Sequence, residues 1–115
     1  TINDIVYQLQ CEWISEEAAK EDCVVVGRCA DKVLDAIGIP YISVFITADL
    51  DFRVAREMND HGYTEKEAVN VVTRADKHRR AYYNYYTDCA WGAPSNYDIC
   101  ISTSTYGIEG AAELL

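Results

Sequence analysis

The residues best suited to chemistry are arginines. Gly27-Arg28 closes an apolar run, and Arg74, Asp76, Lys77, Arg79 and Arg80 crowd into seven residues further along. A planar guanidinium meets two phosphate oxygens with parallel hydrogen bonds, so arginines gathered in this way suit a phosphorylated small molecule. On a helix, three-residue spacing sets Asp76 beside Arg79, where the carboxylate can orient the guanidinium or accept a hydrogen bond from a substrate. An anion lying between a sheet edge and that helix can be held by Arg28 and Arg79. Plainer roles stand beside these: Arg28 in a structural ion pair with Asp31 or Asp49, and the helical cluster as solvated i, i+3 pairs worth about 0.2–0.5 kcal/mol each.

Charge distribution supports a local anion site rather than a polyanion partner. The formal net charge of −9 argues against general affinity for nucleic acid or an anionic membrane. Yet seven of the ten Lys and Arg lie between Arg53 and Arg80, with only five of the nineteen acids, so the remaining chain carries three against fourteen.

Other candidates have less to offer. His61 and His78 stand apart from any nucleophile or metal set, and Asp49 and Asp51 read as helix caps. Ser102-Thr103-Ser104 lacks the Gly-x-Ser-x-Gly context of a hydrolase elbow. Tyr82, Tyr83, Tyr85, Tyr86 and Trp91 can stack a base or pack a helix onto its sheet. Cys11, Cys23, Cys29, Cys89 and Cys100 are odd in number and form no CxxC pair, which points to reduced cytoplasmic thiols.

These side chains need elements to position them. Ile5, Val6, Leu9, Trp13 and Ile14 recur at helical intervals from Asn3 to about Ala19, with Asn3 or Asp4 as cap. Cys23–Gly27 reads as a buried strand, Ala30–Ile37 as a helix stopped by Gly38 and Pro40, and Tyr41–Thr47 as a second strand apolar on both faces. A helix follows from Asp49 or Asp51 to the His61-Gly62 breaker. Thr64-Glu65-Lys66-Glu67 then opens a long helix to about Tyr86 through a capping box, with Val69, Val72, Ala75, Tyr82 and Tyr85 as packing residues. Asp88–Asn96 is a loop, Tyr97–Ile101 a third strand, and Glu109–Leu115 a last short helix. Strands separated by helices imply an α/β fold with a parallel sheet, whose ligands gather at the strand carboxyl ends. The opening stretch is too polar for a signal peptide or spanning helix. A start inside a helical pattern suggests that the chain begins in the middle of a larger protein.

Taken in order, Cys23–Asp31, Val44–Ala48 with Arg53 and Arg56 beyond, Asp76-Lys77-His78-Arg79 with Tyr82–Tyr86, Trp91-Gly92, and Tyr97–Ile99 leading to Thr103-Ser104 resemble the bacterial cytidylate-kinase-like family. The resemblance covers nearly the whole chain. It implies a P-loop nucleoside monophosphate kinase fold over residues 1–115: a three-layer parallel sheet with flanking helices, here missing the N-terminal strand and helix, and with 53–80 as a lid-like segment. It further implies ATP and Mg²⁺ as cofactors of the intact protein and a nucleotide or similar small phosphorylated acceptor as partner. By matching motif positions it assigns acceptor contacts to Arg28, Asp76 and Arg79, an approach to the transferred phosphoryl group to Arg53 and Arg56, and a structural role to Thr103 and Ser104.

Two departures qualify that picture. Cys29 occupies the position of an acceptor-site aspartate in true cytidylate kinases. No Gly-x-x-x-x-Gly-Lys-Ser/Thr loop occurs in the chain, so the ATP phosphates have no cradle in these residues. The expectation is therefore a kinase as a whole protein but an inactive chain by itself, or a non-catalytic nucleotide-binding or assembly module that covers its exposed sheet edge by self-association.

Overall fold

A computed structural model describes residues 1–27 and 29–115, so Arg28 lies outside the described residues. The helices are α1 (Ile2–Lys20), α2 (Ala30–Ile37), α3 (Leu50–His61), α4 (Glu65–Thr87) and α5 (Thr103–Leu114), and the strands are β1 (Val44–Thr47) and β2 (Ile99–Ser102). The strands pair in parallel, from Val44 opposite Ile99 to Thr47 opposite Ser102. Such a pair requires a long crossover, and α3 and α4 provide it.

Local chemistry accounts for most boundaries. The expected capping box at Thr64 is present: its hydroxyl accepts from Glu67 N–H while the Glu67 carboxylate accepts from Thr64 N–H. At the start of α1 the cap is Thr1 rather than Asn3 or Asp4, because Thr1 and Asp4 make the same reciprocal box. Asp49 occupies the cap position of α3, but its side chain makes no capping bond. Instead its N–H donates to Ser104 Oγ at 3.0 Å. The last helix begins at Thr103, earlier than periodicity suggests, since Ser102 Oγ accepts from Thr105 N–H and caps it. The helix then kinks at Gly107, whose φ of 72° is left-handed.

The sheet departs from expectation. Among the described residues it has two strands rather than the three expected, and Cys23–Gly27 forms no ladder. The physical reason is that β-branched composition supplies strand preference but not a partner, and ladder bonds need an adjacent backbone. β1 and β2 use one another, and among the described residues no other strand lies beside 23–27. Expected burial fails there too: Val24 is 93% exposed, and Val44 and Ile46 of β1 are exposed.

The core is correspondingly split. Ile14, Val33 and Leu34 join α1 to α2, and Val54, Ala68 and Val72 join α3 to α4. Only the Ile14 end of the apolar face of α1 is covered, and Trp13 remains 60% exposed. Val6, Leu9, Trp13 and Ile14 line a groove of about 710 Å³ with Cys23–Val26. The radius of gyration is 15.9 Å, above the value of about 13 Å for a compact domain of this length. That difference fits a molecule whose helices stand around unfilled apolar space.

Candidate phosphate-binding site

The site begins with packing between α3 and α4. Buried Val54 is the neighbour of Arg53, and buried Val72 lies one turn before Asp76, so the helix contact that buries the valines also brings the charged pair together. Arg53 Nη1 donates to Asp76 Oδ2 at 2.8 Å, and Arg53 Nη2 donates to the other carboxylate oxygen, completing a fork. Both side chains are largely shielded, 29% and 21% exposed. Arg79 Nη1 reaches Asp76 Oδ1 at 3.5 Å from the outer side. One carboxylate thus gathers two guanidinium groups and leaves a local excess of one positive charge. Donors that the shared carboxylate does not occupy remain available for an anion.

Of the residues singled out by sequence, Arg53, Asp76 and Arg79 converge. Arg56 does not join them: one turn along α3, its Nε lies 3.5 Å from Asp60 in an exposed pair. Arg80 leaves the cluster, its guanidinium 5.6 Å from the centre of the Trp91 ring. Two of the tyrosines, Tyr82 and Tyr86, pack against α1. Tyr7 of α1 stacks on Tyr86 with ring centres 3.9 Å apart and meets Tyr82 edge-on. Tyr85, an expected packing residue, is exposed, whereas Tyr83 is buried. Trp91 meets Phe45 of β1 edge-on, and Gly92, with φ of 79°, passes so close to that phenyl ring that a Cβ would lie 3.3 Å from it.

The strand carboxyl ends are tied rather than open. Thr103 Oγ1 donates to Thr47 O at 3.3 Å, and Ser104 holds Asp49 N–H, so the Ser-Thr-Ser turn anchors the start of α3, the helix that presents Arg53. Sequence reasoning did not bring Arg53 to Asp76, since 23 residues separate them and no local spacing signals the pair. It also missed the 2.8 Å bond from Tyr83 Oη to Asp31 Oδ2. Helical i, i+3, i+7 spacing of Asp76, Arg79 and Tyr83 places the tyrosine on the site-bearing face of α4, but nothing local names Asp31 as its partner.

Cys29 is 5% exposed, with a left-handed φ of 55° just before α2. Burial, followed by the nearby Asp31 and Cys11 charges, pushes its thiol up to about 11. It is a neutral, shielded group and offers no carboxylate to a sugar hydroxyl. Because the folded value lies above the unfolded value of about 8.5, Cys29 contributes stability that is complete below pH 8.5 and is lost as pH rises through about 11. Urea melts of wild type and Cys29→Ala should therefore diverge less at pH 10.5 than at pH 7. At pH 8, a thiol reagent should label exposed Cys23 and Cys100 well before Cys29.

Residues 1–105 match the cytidylate kinase-like family. The chain belongs to this family. A solved structure described as an uncharacterized protein from Eubacterium ventriosum ATCC 27560 is 36% identical, with a TM-score of 0.85 over 95% of this chain and 62% of that one. The chain therefore spans about three-fifths of that neighbour's length. No curated protein matches it.

Membership in a cytidylate kinase-like family makes the chain kinase-like in origin and implies nucleotide substrates, with ATP and Mg²⁺, for family members. This chain's own residues do not fit the ATP side. It has no Gly-x-x-x-x-Gly-Lys-Ser/Thr loop to cradle the phosphates. Nor is any described helix long and apolar enough to cross a membrane.

Proposed function

We propose that the intact protein transfers the γ-phosphoryl group of ATP to a nucleoside monophosphate or similar small phosphorylated acceptor, and that this chain supplies the acceptor side. The observation carrying this reading is the single carboxylate, Asp76, that gathers Arg53 and Arg79. Asp76 holds the Arg53 guanidinium in one plane, so that its remaining donors are oriented before the phosphate arrives. Arg79, more exposed, closes on the anion from the outer side. Arg28 completes the acceptor contacts. Arg56 acts as the second lid arginine on leaving Asp60, at a cost below about 1 kcal/mol for an exposed pair. ATP and Mg²⁺ are held by residues other than these, and the reaction operates in the cytoplasm, in keeping with five free cysteines.

The assay is coupled ATP consumption by the intact protein with Mg²⁺ and a panel of nucleoside monophosphates, alongside calorimetric titration of CMP into the 115-residue chain. Turnover by the intact protein, with acceptor binding but no turnover by the chain, is expected. An intact protein that neither binds Mg-ATP nor consumes it with any acceptor would sink the kinase reading.

A second reading, a non-catalytic anion-binding or assembly module, is favoured by the apolar groove between α1 and residues 23–26. Under it, self-association covers exposed Trp13 and Val24. Light scattering that finds the chain monomeric would remove that support.

A further inference from the structure

We propose that Asp31 and Tyr83 are a positioning pair that fixes the start of α2 against the α4 face bearing Asp76 and Arg79, and thereby sets affinity for the phosphorylated acceptor. This rests on the acceptor-site reading above. Asp31 sits in the first turn of α2, two residues after Cys29. That turn is held locally: Ala30 N–H donates to Gly27 O, Cys29 O accepts from Lys32 and Val33 N–H, and Asp31 Oδ1 accepts from Lys32 N–H at 2.8 Å. With one oxygen engaged in its own turn, the carboxylate turns the other, Oδ2, to Tyr83 Oη at 2.8 Å.

Tyr83 is 7% exposed and lies one turn beyond Arg79 and two beyond Asp76. Its hydroxyl is therefore a strut from the arginine-bearing face to the beginning of another helix. Burial, and then the bond to Asp31, raises the phenol well above its ordinary range, so it remains a neutral donor at any working pH. The arrangement is more specific than core packing requires. A buried phenylalanine would fill the same volume, but it would leave Asp31 Oδ2 without this donor and remove the bond between the start of α2 and α4.

Tyr97 and Cys29 flank the pair. Tyr97 lies beyond Tyr83 with ring centres 6.4 Å apart, and its Oη accepts from Gly92 N–H. Cys29 is buried beside the turn. Tyr97 also interacts with the Tyr83 hydroxyl, so the strut from Asp31 continues through Tyr83 to Tyr97.

The test compares wild type, Tyr83→Phe, Asp31→Ala and Asp31→Asn in the intact protein, by calorimetric CMP binding, acceptor and ATP KM values, and thermal melts. A positioning role predicts that Tyr83→Phe weakens CMP binding and raises acceptor KM about tenfold, leaves ATP KM unchanged, and lowers Tm by only a few degrees. Asp31→Asn keeps an oxygen acceptor for the phenol and should recover part of what Asp31→Ala loses. Wild-type CMP affinity and acceptor KM in Tyr83→Phe, with only a lowered Tm, would show a purely structural bond and overturn the positioning claim alone. Wild-type protein that binds no nucleoside monophosphate would overturn the acceptor-site reading and this proposal together.

Discussion

Replacing Arg53 with alanine is expected to weaken acceptor binding by the intact protein about 100-fold, equivalent to roughly 2.7 kcal/mol, and to destabilise the fold by about 1–3 kcal/mol. Both effects have one origin. Arg53 is the shielded partner of Asp76, and its loss removes a phosphate donor while leaving a carboxylate that is only 21% exposed with Arg79 alone, at 3.5 Å. Arg53→Lys separates charge from geometry. Lysine keeps the positive charge but cannot make a two-pronged fork, so it should restore about half of the lost binding free energy. If lysine restores all of it, the fork is irrelevant to binding.

The same pair lends itself to a double-mutant cycle. Arg53→Ala and Asp76→Ala should each destabilise more than half as much as the double variant, giving a coupling energy of about 1–3 kcal/mol. Arg56→Ala provides the contrast. Its side chain is 58% exposed and paired within its own helix, so stability should stay within about 0.5 kcal/mol of wild type.

Local signals made much of this molecule legible. The helix at Ala30–Ile37 and the capping box at Thr64 were readable because each depends on residues within a few positions of one another. So was the Asp76 and Arg79 pair, one helical turn apart. Tertiary relations were less visible. Cys23–Gly27 has the composition of a buried strand, yet burial and pairing come from what lies beside it, and nothing in five residues specifies that neighbour. α1 teaches the same lesson: the period of Ile5, Val6, Leu9 and Trp13 correctly marks a helix, while only Ile14 is buried. At the site, the family resemblance paired Arg53 with Arg56 as arginines that approach the transferred phosphoryl group. The fold instead separates them, because Arg53 flanks buried Val54 at the α4 contact and Arg56 lies on the outer side with Asp60.

That dependence of the site on helix packing makes Ala68 the most consequential small residue. It is fully buried at 0% exposure between Val54 and Val72, where α3 and α4 meet. Ala68→Leu forces a branched side chain into this contact, and overpacking of a filled core costs about 1–3 kcal/mol or more. For a domain of this length the expected fall in Tm is roughly 5–15 °C. The functional loss should exceed the loss expected from stability. A small separation of α3 from α4 moves Arg53 out of reach of Asp76, so CMP affinity should fall at least tenfold at temperatures where the variant is still folded. Ala68→Gly distinguishes the causes, because it weakens helix α4 by about 1 kcal/mol without wedging the helices apart. Affinity retained in Ala68→Gly but lost in folded Ala68→Leu would show that the spacing of two helices, rather than stability, holds the arginines in place. Equal affinity in both would uncouple the core from the site.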